Sequence, residues 1–338
     1  MPVFSRCAES FISDMIRLHP LLFLVLASVI GYAWAQDARA DDHLDIEYAE
    51  IQPLATESIL LDVVRSGHRI VAVGERGHVV FSDDGLNWKQ AEHVPTRSTL
   101  TSIVSVGERL WAAGHDAVII TSADGGNTWS RQYFAPERQQ AVMDLNFTDE
   151  DNGVAAGSYG LYLVTADGGR TWADASVDPE NDYHLNDIVR FTDGRQMIAG
   201  EAGYSYRSFD DGENWELMQL PYMGSMWGAL IYSGDCVILY GLRGHAMESC
   251  DFGSNWFELD TGTEASLSAA IDHEGMQIFV GNNGTVLTRA GSGPVTVHSH
   301  SSGVDFAAVL PLGGGRFLLA GEDGIHVFPE HNGGGRDQ

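Results

Sequence analysis

Lysine is almost absent: Lys89 is the only one in 338 residues. Basic residues number 19 against 47 acidic ones, a formal charge of −28. Binding to DNA or RNA by counterion release needs clustered cations, so sequence-independent nucleic-acid binding is excluded. A polybasic hold on anionic lipid is excluded for the same reason. After residue 35 no apolar run reaches membrane-spanning length, and no stretch keeps a helical period. Cysteine is scarce, at three. What is abundant is glycine, at 39 residues, alongside 44% apolar residues, a balance that suits a folded, turn-rich domain.

Residues 1–35 read as an export signal. Arg17 and His19 precede the apolar run Leu21 to Trp34, and Ala33-Trp34-Ala35 is an A-x-A cleavage site before Gln36. Met15 is an alternative start to Met1, and a retained anchor is the alternative to cleavage. Residues 36–44 then form a linker, and the product is expected in the periplasm or secreted. Cys7 leaves with the signal, so Cys236 and Cys250 remain as a pair in an oxidising compartment.

One segment repeats through the rest of the chain. Ala72-Val73-Gly74-Glu75-Arg76-Gly77 recurs in altered form at Gly114, Gly157, Gly200, Gly241, Gly281 and Gly321, roughly 40 to 43 residues apart. Seven copies at that period indicate propeller blades of four strands. A second landmark follows. Ser122-Ala123-Asp124-Gly125-Gly126-Asn127-Thr128-Trp129 recurs at Thr165–Trp172, Ser208–Trp215 and Ser249–Trp256, and with Phe first at Phe81–Trp88. This is the Asp-box, a turn in which Asp accepts backbone N–H bonds, Gly supplies an unusual conformation and Trp covers the turn. The residues assigned to it are Asp83 and Trp88, Asp124 and Trp129, Asp167 and Trp172, Asp210 and Trp215, and Asp251 and Trp256. The sixth copy is degenerate, with Ala290 and Val295 in place of Asp and Trp.

These landmarks predict an all-β fold, a seven-bladed propeller of four-stranded blades over residues 45–328. The seventh repeat stops after its third strand. Asp45–Gln52 is therefore expected to supply that blade's outer strand and close the ring, which would remove an exposed edge. Residues 329–338 are expected to be a flexible tail. If Gly241 pairs with His245, Cys236 faces Cys250 across neighbouring strands, and a disulfide is expected.

The export signal, the repeat count and the V/A-G-x-x-G…T-x-D-G-G-x-T-W cadence resemble the photosystem II stability/assembly-factor propellers of the BNR superfamily and their non-photosynthetic bacterial relatives. The closest segments are Gly114–Trp129 and Gly157–Trp172. The resemblance implies a non-enzymatic assembly factor for a membrane-protein complex, with an RND-type transporter system as the partner suggested by the bacterial branch. One departure is electrostatic. The photosynthetic members use an arginine-rich face, whereas this chain is acidic with scattered arginines, so a photosystem partner is not expected.

BNR propellers also include sialidases, so a glycosidase or glycan-binding propeller is the alternative. The diagnostic Arg-Ile-Pro segment is absent, since Arg69-Ile70 is followed by Val71. His273-Glu274 does not complete H-E-x-x-H because residue 277 is Gln. His298 and His300 lack a third ligand, and Asp149–Gly153 puts Gly where a calcium ligand is needed. No metal, cofactor or catalytic residue is assigned. The expected working surface is the face of the G-x-x-G turns and interblade crossings, with Arg76, Arg97, His115, Tyr159, Tyr222, Met223, Trp227 and Arg243 as binding residues. Met and aromatics at the Pro221–Trp227 crossing have the composition of a binding spot. The chain is expected to act as a monomer.

Overall fold

The computed structural model describes residues 46–330. The signal, Cys7, the linker and residues 331–338 lie outside them. Among the described residues, six antiparallel sheets of four strands and one of three follow one another along the chain, with only short 3₁₀ turns between. The result is a seven-bladed β-propeller, with blades at 60–90, 100–133, 142–174, 185–219, 226–258, 267–299 and 306–328. Apolar cores fill the spaces between neighbouring blades. Val71 and Val79 of blade 1, for example, pack with Leu100, Ile103, Leu110 and Ile120 of blade 2.

The repeated glycines have a steric cause. A Cβ on Gly74, Gly114, Gly157, Gly241, Gly281 or Gly321 would lie 2.0–2.4 Å from the carbonyl oxygen just before the same blade's inner strand. Backbone therefore passes over backbone at each of these points, and only glycine leaves the room.

Each inner strand also carries an irregularity near its start, and those of blades 5 and 7 carry a second further along. The pairing of inner and second strands slips between Leu60 and Asp62, Leu100 and Ser102, Leu185 and Asp187, and Met226 and Gly228. The same slip lies at Val142/Asp144, Leu267/Ala269 and Phe306/Ala308. A β-bulge leaves one unpaired residue and re-aims the side chains around it. The unpaired residues are Leu61, Thr101, Met143, Asn186, Trp227, Ser268 and Ala307. The residue after several of these bulges hooks onto the next blade. Ile103 N–H donates to Asp62 Oδ2 (2.7 Å) and Leu145 N–H to Ser102 Oγ (3.3 Å). Ile188 N–H donates to Asp144 Oδ2 (3.0 Å) and Ala229 N–H to Asp187 Oδ2 (2.6 Å). Blade 5 has Gly228 at that place. There the Tyr240 ring fills the space, since a Cβ on Gly228 would lie 2.3 Å from its hydroxyl oxygen, and that hydroxyl bonds the Ala270 backbone.

Two expectations are corrected. The seventh blade has three strands, ending at Gly324–Phe328, and the N-terminal segment is not its fourth. Glu47–Gln52 instead runs along blade 1: Ala49 N–H donates to Val94 O (2.9 Å), and the Gln90 side chain binds Gln52 N and Glu50 O. Ala49 packs into the core between blades 1 and 2, whereas Tyr48 and Ile51 stay exposed, so the segment has no apolar stripe for another blade. The second correction concerns blade 1's turn. Asp84, not Asp83, accepts the Leu86 and Asn87 N–H groups (2.8 and 2.7 Å) and the Ser82 hydroxyl (3.0 Å). The turn here is one residue shorter than elsewhere, which moves the acceptor by one. Asp83 pairs with Arg69 Nε at 2.7 Å instead. In the other four turns Asp124, Asp167, Asp210 and Asp251 each accept the backbone N–H four residues on. Of the expected tail, Glu330 binds Ser301 N–H and is not free.

Cys236 and Cys250 form a disulfide between the second and third strands of blade 5. Val237 pairs with Ser249 and Tyr240 with Ala246, which is the register that sets the cysteines opposite each other. Replacing both by alanine is expected to cost about 3 kcal/mol, the value for a loop of this size, read by urea unfolding. In the same assay Asp84→Ala should lower the unfolding midpoint more than Asp83→Ala.

Candidate functional site

The turns between second and third strands emerge at the same end of the propeller as the starts of the inner strands. Their tips share an unusual backbone. Arg76, Asp116, Tyr159, Ala202, Arg243 and Asn283 all have φ between 53° and 59°. Non-glycine residues enter this left-handed region at a cost, and a bulky aromatic there is rare. Tyr159 is 56% exposed in that conformation, with its ring edge-on to His184 at 4.9 Å. The tight G-x-x-G geometry thus lifts one side chain per blade off the surface, and the sequence decides which.

The channel mouth lies inside this ring of tips. A cavity of about 270 Å³ opens there, lined by Thr101, Met143, His184, Asn186, Glu201, Ser225 and Trp227. Four of these are unpaired bulge residues, from blades 2, 3, 4 and 5. Glu201 Oε1 accepts the His184 N–H (3.1 Å), and Asn186 Nδ2 donates to Met226 O (2.7 Å). Beside the cavity, Tyr183 stacks on Tyr204 at 3.8 Å and Tyr222 stacks on His245 at 3.9 Å. Met223 lies against Gly203 of blade 4 and is 73% exposed.

One residue beyond the bulges the channel turns acidic. Asp62, Asp144 and Asp187 keep some contact with solvent but are enclosed by protein. Burial pushes Asp62 up to about 7, against the pull of the Ile103 and Val63 N–H groups. Burial raises Asp144 as well. Asp187 is raised well above its ordinary range, by burial and then by the charge of Asp144, to which it hydrogen-bonds. Burial also holds the Tyr240 hydroxyl well above its ordinary range, with the charge of Asp187 adding to it.

The expected binding residues divide into groups. Tyr159, Tyr222, Met223 and Trp227 fall on one arc over blades 3 to 5. Arg76, Arg97 and His115 sit on blades 1 and 2. Arg97 is held by Glu50 (3.0 Å) and the Tyr48 carbonyl, and Arg76 lies 3.8 Å from Glu75. Arg243 lines a separate open pocket with His245 and Glu258. Arg138 pairs with Asp174 at 2.7 Å. These arginines therefore do not converge on one cavity, as a carboxylate-gripping triad would require. His298 bonds Thr288 and His300 bonds Ser302. Among the described residues no group of three His, Cys, Asp or Glu could hold a metal ion. Glu201 belongs to the charged loops expected on the working face, whereas sequence reasoning passed over His184, Met143, Asn186 and the three aspartates. Their signal was alignment: Leu60-x-Asp62, Val142-x-Asp144 and Leu185-x-Asp187 occupy one place in three repeats.

The architecture is that of a seven-bladed propeller with Asp-containing blade turns. Residues 132–225 match the family model described as Photosynthesis system II assembly factor YCF48. YCF48 from Cyanidioschyzon merolae is 16% identical, with a TM-score of 0.64 over 83% of this chain and 97% of that one. A YCF48 bound to D1 peptide is 17% identical, with a TM-score of 0.66 over 83% and 98%. PorZ, a surface component of the type-IX secretion system of Porphyromonas gingivalis, is 13% identical, with a TM-score of 0.61 over 83% of this chain and 37% of PorZ. No curated protein sequence matches. Residues 132–225 thus resemble the photosystem II assembly-factor model, and the structural likenesses show the propeller fold.

The three raised carboxyls have a consequence for stability. Each binds a proton in the folded protein at a pH where the unfolded chain has lost it. Their contribution is complete below the ordinary carboxylate range near 4 and is lost as pH rises, for Asp62 through about 7. Wild-type stability should fall between about pH 5 and 8. Asp187→Asn and Asp62→Asn should each flatten that slope in urea titrations compared with wild type.

Proposed function

We propose that the protein is an exported, non-catalytic propeller that binds a membrane-protein complex in the cell envelope, through the face of the G-x-x-G turns and interblade crossings. The observation that carries this reading is the arc of Tyr159, Tyr222, Met223 and Trp227. Tyr159 and Met223 are exposed, Tyr222 and Trp227 are half-buried, and Trp227 lines the cavity; aromatics and Met so grouped are what protein interfaces use as anchors. The likeness to a YCF48 bound to D1 peptide supports a protein ligand. The disulfide supports an oxidising compartment, in line with the signal read over residues 1–35 and a linker over 36–44. No helix among the described residues is long and apolar enough to cross a membrane. An RND-type transporter system is the partner class that the bacterial relatives suggest, and the propeller would engage it as a monomer.

The test is crosslinking in intact native cells, followed by affinity recovery and mass spectrometry. Tyr222→Ala combined with Met223→Ala should reduce recovery of the membrane partner several-fold while leaving the unfolding midpoint near wild type. Unchanged recovery would move the interface off this face.

A further inference from the structure

The channel-mouth cavity has a chemistry more specific than a general docking face. Its lining combines Trp227 and Met143 with the hydroxyl-bearing Thr101 and Ser225 and the amide-bearing Asn186. Its one charged acid is Glu201, and no lysine or arginine lines it. The acceptors Asp144 and Asp187 follow Met143 and Asn186 directly in sequence, one residue deeper on the same inner strands, and Asp62 stands at the equivalent place in blade 1. Two arginines of this face are held elsewhere, Arg97 by Glu50 and Arg138 by Asp174, and Arg243 lines a separate pocket. The charge at the mouth is that of Glu201, whose Oε2 lies 3.7 Å from His184 Nδ1.

The size is also selective. About 270 Å³ falls below the roughly 300–1,000 Å³ of ordinary small-molecule pockets, but suits one long side chain. A lysine or arginine buries its aliphatic stem against apolar walls while its head seeks carboxylates. An indole is the best aromatic partner for such a head. An anionic or purely aliphatic group would face Glu201 without compensation.

We infer that the cavity at the mouth of the channel is a receptor for a single cationic side chain, lysine or arginine, presented by an extended segment of the protein partner. This rests on the docking reading above and deepens it. Glu201 supplies the charge contact, and Trp227 and Met143 hold the stem. The site takes its shape from the bulges, because it is the unpaired position in each inner strand that sends Trp227, Met143, Thr101 and Asn186 toward the axis.

The experiment uses n-butylguanidinium as a probe of the intact protein, with n-butyrate and n-butanol as controls. Two-dimensional NMR follows the indole N–H signals, and Trp227→Phe identifies the Trp227 resonance by its disappearance. The expected result is a saturable shift of that resonance with n-butylguanidinium and none with n-butyrate. Glu201→Gln, which keeps the acceptor for the His184 N–H, should weaken the probe about fivefold. No shift with n-butylguanidinium, or an equal one with n-butyrate or n-butanol, overturns the cationic site. If the shift is absent while Tyr222→Ala with Met223→Ala still abolishes partner recovery, the cationic site fails and the docking face stands. If the probe binds as expected but recovery ignores all substitutions on this face, the site holds and the docking reading fails.

Discussion

The structure turns on a single backbone irregularity repeated seven times. At the start of each inner strand one residue drops out of pairing, and the residue after it is free to reach sideways instead of lying flat in its own blade. In blades 1 to 4 that residue is Asp62, Ser102, Asp144 or Asp187, and its side-chain oxygen accepts an N–H from the inner strand next door. Neighbouring blades have no continuous backbone pairing, so these bonds supply directional contacts where apolar packing alone would leave the spacing loose. Blade 5 reaches the same end by another route, with a tyrosine from the second strand occupying the place that glycine leaves open. The cost of the arrangement is that three carboxyl groups are buried in a channel, and burial raises their proton affinities, with the charge of Asp144 adding for Asp187 and Asp62.

The same bulge also divides the molecule by role. One end carries the aspartate turns, where charge and hydrogen bonding are spent on the protein's own backbone. Burial is not what lowers those acids. For Asp84 and Asp251 the largest causes are bonds from the residues of the turn itself. The other end carries tips and crossings, where Tyr159 and Met223 stand exposed. There the left-handed position of each G-x-x-G turn accepts arginine, aspartate, tyrosine, alanine or asparagine. A scaffold that holds its shape with one face is free to vary the other, which is how propellers serve unrelated partners.

Much of this could be read from the residues. The seven glycines located the close backbone crossings, and the blade order followed from them. The register that opposed Cys236 to Cys250 came from one assumed pair, Gly241 with His245, and the disulfide is there. Three things were harder. The shortened turn of blade 1 offers two adjacent aspartates, and only the hydrogen bonds distinguish Asp84 from Asp83. The fate of the N-terminal segment depended on whether Ala49 finds a better apolar contact beside blade 1 than on blade 7, a tertiary competition with no local signature. The cavity is built from residues three blades apart, and Trp227 meets Thr101 only once the ring has closed. The aspartates at the repeated bulge position were visible in alignment, but their repetition reads as punctuation until each is seen bonded to its neighbour.

The measurement that bears most directly on this account places a photo-crosslinking residue on each end of the propeller in native cells. Benzoylphenylalanine at Met223, 73% exposed among the tips, is compared with the same residue at Leu86, 80% exposed in an aspartate turn at the opposite end. A membrane protein crosslinked from position 223 and not from position 86 is the predicted result. Crosslinking from position 86 alone would show that the working face has been assigned to the wrong end.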